Sequence, residues 1–138
     1  MTDEAKPAPQ PDLDSAPFWE ACRAHQLKAQ RCLTCSEFRW TPQAFCPHCY
    51  SWDYEWAGLS GRGSVASCVV VHYVAVPAFK DEAPYVVANI TLDGTGGRVC
   101  MLSNVVGCPP EDVRVGMPVS VFFDDIGRDA SLPKFRPE

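Results

Sequence analysis

The sequence predicts a mainly β protein with a short N-terminal helix, a small metal-bound ribbon and a C-terminal five-stranded barrel of the OB type. Two observations predict this architecture. Two Cys-x2-Cys pairs stand ten residues apart, and short apolar segments separated by glycine and proline turns follow them. The expected organisation is a flexible leader over 1–14, a helix over 15–26, the ribbon over 27–56, the OB fold over 57–125 and a polar tail over 126–138.

The N-terminal helix is predicted from a capping pattern and from apolar spacing. Asp14 or Ser15 can cap the first turn. Phe18 and Cys22 then lie on one face, with Trp19 beside them. A helix of this length is not stable alone and must pack against something. Phe18 and Trp19 are therefore either core residues or candidate contacts to a partner protein.

The cysteines carry the clearest chemical indication in the chain. Two Cys-x2-Cys pairs this close together can surround one metal ion with four thiolates, and zinc is the expected occupant. Such a closed site is structural, because it has no open position for a substrate. His48 lies between two ligands and is expected to be an exposed bystander. The predicted metal ligands are Cys32, Cys35, Cys46 and Cys49.

The other four cysteines show no pairing pattern, and the N-terminus has no hydrophobic export segment. A reduced, cytoplasmic protein with one metal site is therefore expected, without a disulfide framework. No apolar run approaches the ~20 residues of a membrane span. The three histidines are scattered and belong to no nucleophile motif, so no catalytic residues are predicted and the chain is not expected to be an enzyme by itself.

Alternating aromatic and acidic residues follow the second cysteine pair. Trp52, Tyr54 and Trp56 share a period of two, which is typical of a strand with one aromatic face. That face can be a hydrophobic floor between two modules or a stacking platform for bases. The barrel strands are expected over 65–76, 85–92, 98–106 and 119–123, with a polar tail from residue 124 onward.

The charge distribution disfavours nucleic acid as a ligand but allows a small phosphorylated ligand. The formal net charge of −5 becomes about −7 when four thiolates hold a divalent ion, and this field repels nucleic-acid backbones. The ribbon nevertheless carries a local excess of basic residues, including Lys28, Arg31 and Arg39. They can balance the anionic metal site, or they can contact a phosphorylated ligand such as the adenosine diphosphate part of coenzyme A.

Several short motifs stand in a characteristic order over about residues 15–137. Among them are Phe18-Trp19-Glu20, Cys46-Pro-His-Cys49, Gly61-Arg-Gly63, Val115-Gly-Met-Pro-Val119 and Phe135-Arg-Pro137. Together they resemble the domain-of-unknown-function family thirty-five. The resemblance implies a rubredoxin-like zinc ribbon joined to an OB fold, with zinc on the four named cysteines.

The same resemblance implies a function. The chain is expected to be a non-catalytic accessory subunit that binds a thiolase-fold acyl-CoA enzyme, of the acyltransferase or steroid side-chain aldolase type. It is expected to assist the binding or channelling of the CoA thioester. A single-stranded nucleic-acid-binding module is the alternative, since zinc ribbons and OB folds both occur in such proteins.

Three positions depart from what the motifs usually contain. Ser36 and Tyr50 follow the cysteine pairs where glycine is favoured, and His25 stands where the family commonly has a glycine at the helix end. Histidine tolerates a left-handed backbone better than most residues, so the departure at the helix end is mild.

Overall fold

The computed structural model describes residues 6–138. This range contains one α-helix and eight strands, and the strands form two sheets. The first five residues of the predicted leader lie outside this range. Two short 3₁₀ helices, Pro77–Glu82 and Pro110–Asp112, stand in the connections. None of the helices in the described range has the length and apolar character needed to cross a membrane. The main elements are α1 (Ala16–Arg23), β1 (Lys28–Cys32), β2 (Phe38–Arg39), β3 (Tyr54–Gly58), β4 (Arg62–Val71), β5 (Tyr85–Leu92), β6 (Cys100–Val105), β7 (Pro118–Ile126) and β8 (Ala130–Pro137).

Helix α1 begins from a turn that starts earlier than the sequence predicts. The Asp12 carboxylate accepts a hydrogen bond from the Ser15 N–H at 2.7 Å, and the Asp12 carbonyl accepts one from the Ala16 N–H at 2.9 Å. Ser15 occupies the N-cap position, but its side chain makes no capping hydrogen bond to the helix. Ser15, one of the two predicted candidates, is therefore the N-cap residue, but a local turn at Asp12 and not the Ser15 side chain orders the first backbone groups.

The end of α1 confirms that histidine can replace glycine there. His25 has φ 58°, and its N–H donates to the Cys22 carbonyl at 2.9 Å. The Gln26 N–H donates to the Ala21 carbonyl at 2.9 Å, which completes a Schellman motif. This reversal directs the chain from the helix into β1.

The ribbon is a three-stranded antiparallel sheet in the order β2-β1-β3. Its last strand begins at Tyr54, so the predicted strand with three aromatic residues on one face is too long. Trp52 lies before the strand with 70% of its surface exposed, and its ring is 5.5 Å from that of Phe45. Trp56 packs against the core. The aromatic residues consequently form no single platform.

The second sheet is a closed barrel in the order β4-β5-β6-β8-β7, which confirms the predicted five-stranded OB fold. The alternation along β5 matches its burial, because every second residue from Val86 to Leu92 faces the core. Phe135, Ile90 and Val119 are completely buried in this core. The barrel strands therefore supply most of the buried apolar core.

The strand that completes the barrel is the segment that the sequence analysis takes for a polar tail. β8 pairs along its length with β7 and meets β6 in parallel at Val105 and Phe135. Proline normally argues against a strand between two neighbours because it donates no hydrogen bond. Here the parallel contact to β6 is brief, and the Ser103 hydroxyl donates to the Pro133 carbonyl at 2.7 Å.

β4 differs from the expected strand over 65–76 in both position and burial. It begins at Arg62 and ends at Val71, and only its first residues pair with β7. Beyond that point it pairs with β5 alone. Only Gly63 and Val65 are buried in this strand, while Ala66 is exposed and Val69 is 61% exposed. The outward side of the barrel here is apolar and open.

Two glycines allow the barrel to close. A Cβ atom on Gly63 would lie 2.5 Å from the Thr91 carbonyl oxygen on β5. A Cβ atom on Gly61, where φ is 84°, would lie 2.4 Å from a methyl group of Val121 on β7. Both spacings are too short for any side chain, so the Gly61-Arg-Gly63 motif reflects close approach of β4 to its two neighbours.

Contacts between the ribbon and the barrel connect the two modules. The Leu59 N–H donates to the Leu27 carbonyl at 2.8 Å, and Arg98 forms an ion pair with Glu37 at 3.2 Å. On the other side, the His25 ring stacks on Phe123 at 5.3 Å. Helix α1 packs against β8 of the barrel and against β1 of the ribbon. The ribbon is thus held against the barrel by contacts on several sides.

Candidate metal centre

The four predicted ligands converge on one point between the two cysteine pairs. Their sulfur atoms all lie within 4.8 Å of one another. The two shortest separations, Cys32 to Cys49 and Cys35 to Cys46, are both 3.6 Å. Zinc–sulfur bonds of about 2.3 Å in a tetrahedron place sulfurs about 3.8 Å apart, whereas a disulfide requires about 2.05 Å. The spacing fits a tetrahedral zinc site formed by these four cysteines and excludes disulfides among them.

The two cysteine pairs form equivalent turns. The Cys32 N–H donates to the Glu37 carbonyl at 2.9 Å, and the Cys46 N–H donates to the Ser51 carbonyl at the same distance. Within each turn, the residue two positions after the first cysteine directs its N–H at the sulfur, at 3.4 Å in both cases. The folded turns thus supply backbone N–H donors to the sulfurs independently of a bound ion.

These donors stabilise the ionised form of the first cysteine in each pair. The backbone N–H groups of Cys35 and Thr34 hold the pKa of the Cys32 thiol at about 6. At Cys46, burial acts to raise the pKa, but the N–H groups of Cys49 and His48 outweigh it and leave the pKa below its ordinary value. A thiolate is the form that binds zinc, so the turns prepare the site for a cation.

The residues in place of the expected glycines adopt the glycine conformation. Ser36 has φ 65° and Tyr50 has φ 63°. Their N–H groups donate to the carbonyls of Cys32 and Cys46 at 3.0 and 2.9 Å, which closes each turn. The absence of glycine therefore leaves the knuckle geometry intact, at a cost in backbone strain at both positions.

The remaining cysteines and His48 are not ligands. Burial raises the pKa of the Cys22 thiol to about 12, so this residue is a neutral core side chain. Cys100 is exposed, and Cys68 and Cys108 are half-buried at separate places in the barrel. His48 is exposed, as predicted.

A buried polar network next to the metal ligands has no counterpart in the sequence predictions. Gln30 and Arg39 face each other across β1 and β2 and are 1% and 3% exposed. The Arg39 Nε–H donates to Gln30 Oε1 at 3.0 Å, and its Nη2 donates to the Gln43 carbonyl at 3.0 Å. The Gln43 N–H also donates to Gln30 Oε1, at 2.9 Å. This network holds the crossover loop that leads to Cys46.

The other predicted site residues occupy separate positions. Phe18 is 3% exposed and lies in the core, while Trp19 is half-buried with its ring 5.0 Å from that of Phe18. Lys28 is half-buried and Arg31 is exposed; three residues apart on β1, they point to opposite faces of the sheet. Arg39 is buried, so the three basic residues form no common surface patch. Contact with a partner or with CoA stays a prediction.

Side chains for catalysis do not come together. Among residues 6–138, no serine hydroxyl or cysteine thiol is hydrogen-bonded to a histidine ring. His25 pairs with Asp125 at 2.8 Å, but both side chains are more than half exposed. The arrangement is that of a hydrogen-bonded pair on the surface.

Comparison with protein families identifies both modules. Residues 19–55 match the ChsH2 rubredoxin-like zinc ribbon domain, and residues 56–124 match the ChsH2 C-terminal OB-fold domain. A solved chain of the Ltp2–ChsH2(DUF35) aldolase superimposes with a TM-score of 0.84 at 36% identity, covering 94% of this chain and 98% of that one.

Two curated relatives show the same modules in different settings. A DUF35 domain-containing scaffold protein of Methanocaldococcus jannaschii is 39% identical over 100 residues, which are 72% of this chain and 68% of that protein. A probable enoyl-CoA hydratase alpha subunit of Thermomonospora curvata is 38% identical over 133 residues. That match covers 96% of this chain but only 40% of the alpha subunit, so the chain spans about two fifths of this relative's length.

Replacing one ligand should remove the metal, whereas replacing an exposed cysteine should not. In Cys46→Ser we expect the bound zinc to fall from about one ion per chain to near zero, because three thiolates do not close the site. Elemental analysis of protein purified without chelator measures the content. Cys100→Ser is the matched control and should keep its zinc; equal zinc in both variants would refute the assignment.

Restoring glycine in the knuckles should relieve backbone strain. We expect Ser36→Gly to stabilise the zinc-bound protein by about 1 kcal/mol, since a left-handed conformation costs a non-glycine residue about that much. Denaturant unfolding with saturating zinc measures the change. Leu33→Gly, in the same turn but without a positive φ, should instead destabilise the protein. A loss of stability in Ser36→Gly would contradict the strain argument.

Proposed function

The chain belongs to the DUF35 family of proteins with a ChsH2-type zinc ribbon and OB fold, and on this basis we propose that it is a non-catalytic accessory subunit of a thiolase-fold acyl-CoA enzyme. It binds the partner enzyme in a hetero-oligomer and leaves bond-making to it. The partner is of the acyltransferase or steroid side-chain aldolase type. The zinc is structural in this proposal, because its four ligands close the coordination sphere.

One observation carries the proposal. This chain and the ChsH2(DUF35) chain of the aldolase correspond over nearly their whole lengths, with a TM-score of 0.84. That chain is named together with Ltp2 as an aldolase, and the relative of Thermomonospora curvata is named as an alpha subunit. The scattered histidines of this chain support the same conclusion, since they offer no catalytic group of their own.

The surface of the barrel supports a role in assembly. Val69 on β4 and Leu102 on β6, the two strands that flank β5, are more than 60% exposed on the outward side of the barrel, and Tyr73 is 85% exposed beyond the end of β4. Clustered exposed apolar residues mark interaction sites more often than free surface. Trp19 offers a second candidate contact, because its ring is half-buried on the helix beside the core.

The proposal includes binding or channelling of the CoA thioester. Lys28 lines a cleft of about 380 Å³ between the ribbon and the barrel, together with His25 and Phe123. Arg31 is exposed on the opposite face of the same strand. Either cation can pair with a phosphate of CoA. The unpaired cysteines suit a reducing compartment, so we place the complex in the cytoplasm.

Co-expression with the thiolase-fold protein encoded nearest to this chain tests the proposed assembly. We expect the two chains to elute as one hetero-oligomer in size-exclusion chromatography with light scattering, with about one zinc ion per copy of this chain. The partner's acyl-CoA activity should be lower without this chain. If the partner is soluble and fully active alone and no complex forms, the proposal fails.

Two tryptophan variants test whether Trp19 lies at the interface with the partner. Trp19→Ala should weaken the complex, whereas Trp52→Ala, at an exposed site on the ribbon, should leave it intact. Circular dichroism of the zinc-bound variants checks that each one folds. If the Trp19→Ala variant forms the complex as well as the wild type does, Trp19 is not part of the interface. The proposed accessory role would be unaffected by that result.

Neutralising the two accessible cations tests the CoA contact. In the assembled complex, we expect Lys28→Ala and Arg31→Ala each to raise the KM for the acyl-CoA severalfold, since each removes a charge that can pair with phosphate. The kcat should change little, because neither residue is placed at the reacting atoms. Unchanged KM values for both variants would place CoA entirely on the partner.

A further inference from the structure

Arg39 is a buried cation with no anionic side chain to balance it. Its residue is 3% exposed, and no carboxylate of residues 6–138 lies within ion-pair distance of its guanidinium. Burying an isolated charge is strongly unfavourable, so buried arginines are normally paired. A counter-charge of another kind is therefore required.

The groups that touch Arg39 are neutral. Gln30 and the Gln43 carbonyl accept hydrogen bonds from it, and the Tyr54 ring lies 4.5 Å beneath its guanidinium. Its Nη1 group and Gln30 Nε2 are both buried without a partner among the described residues. Both orphan groups are donors, so this region of the ribbon carries positive potential and lacks an acceptor.

The four-thiolate metal centre lies on the same strands and loop and supplies negative charge to this part of the ribbon. Cys32 is two residues from Gln30 on β1 and lies directly opposite Tyr54 on β3. Gln43 is three residues before Cys46 in the loop that Arg39 holds. Four thiolates around a divalent ion carry a net charge of about −2. Two of the segments that contact Arg39, β1 and the crossover loop, thus lead directly to the ligands Cys32 and Cys46.

We propose that Arg39 is the positioning residue and internal counter-charge of the zinc site. Its charge favours the four-thiolate, metal-bound form, and its hydrogen bonds hold the crossover loop so that Cys46 meets the first pair. This assigns Arg39 to the metal centre and leaves the proposed CoA contact to Lys28 and Arg31. The inference concerns the ribbon alone and stands whether or not the chain has a partner enzyme.

Zinc affinity measured by competition with a chromophoric chelator tests this assignment. Arg39→Met removes the charge and should weaken zinc binding about 10–100-fold, as expected for a group that supports metal ligands. Arg39→Lys keeps the charge and should stay within about tenfold of the wild type. Arg31→Met, which removes the same charge at an exposed site on the same sheet, is the matched control and should change the affinity about threefold or less.

Two further variants separate charge from loop positioning. Gln30→Leu removes the acceptor for Arg39 and for the Gln43 N–H but keeps the cation, so it should weaken binding less than Arg39→Met does. Arg39→Gln supplies a second neutral variant if the methionine variant does not fold in excess zinc. Cobalt(II) absorption of each variant reports whether the four-thiolate geometry is preserved.

The outcomes are distinct. A large loss in the neutral variants, with recovery in Arg39→Lys and a small effect in Arg31→Met, supports the counter-charge. The assignment is overturned if neutral variants bind zinc as tightly as Arg31→Met does. It is equally overturned if Arg39→Lys is as weak as Arg39→Met, because a purely structural clamp would then explain the loss.

Discussion

Four sulfur atoms within 4.8 Å of one another constrain the N-terminal half of this protein. Backbone N–H groups stabilise thiolates at Cys32 and Cys46, but four adjacent negative charges require a cation between them. The ribbon has few other stabilising contacts, since β2 has only two residues and most of the crossover loop is partly exposed. Its folded structure therefore depends on the bound metal. The barrel depends instead on apolar burial around Phe135 and Ile90.

The two modules are stable for different reasons and are joined by contacts that belong to neither alone. Phe18 from α1 enters the common core and meets Trp40 of the ribbon at 5.0 Å between ring centres. The same helix packs against β8, the strand that closes the barrel. Loss of the metal should therefore loosen the packing of the helix as well as the ribbon. For the proposed accessory role, this rigidity means that less ordering entropy is lost on binding.

Features governed by local spacing could be predicted from the sequence. The metal ligands follow from Cys-x2-Cys pairs, since two residues between cysteines suit one turn, and β5 follows from alternation that matches burial. Features governed by distant neighbours were missed. β8 contains Pro133, and only its position beside β7 and the brief contact with β6 makes a strand possible. Trp52 fits the period of β3 but lies outside it, because the second knuckle turn ends at Ser51 and the strand begins only at Tyr54.

The amino-acid sequence by itself determined the zinc ligands, the OB class of the barrel and the family, because each depends on short-range patterns or their order. Only the tertiary structure decided that Arg39 is buried against Gln30 while Arg31 faces solvent. Residue type is the same at both positions, so no local pattern distinguishes them. Their environments differ because strand pairing and the crossover loop cover one guanidinium and leave the other open, and burial is a property of the folded chain.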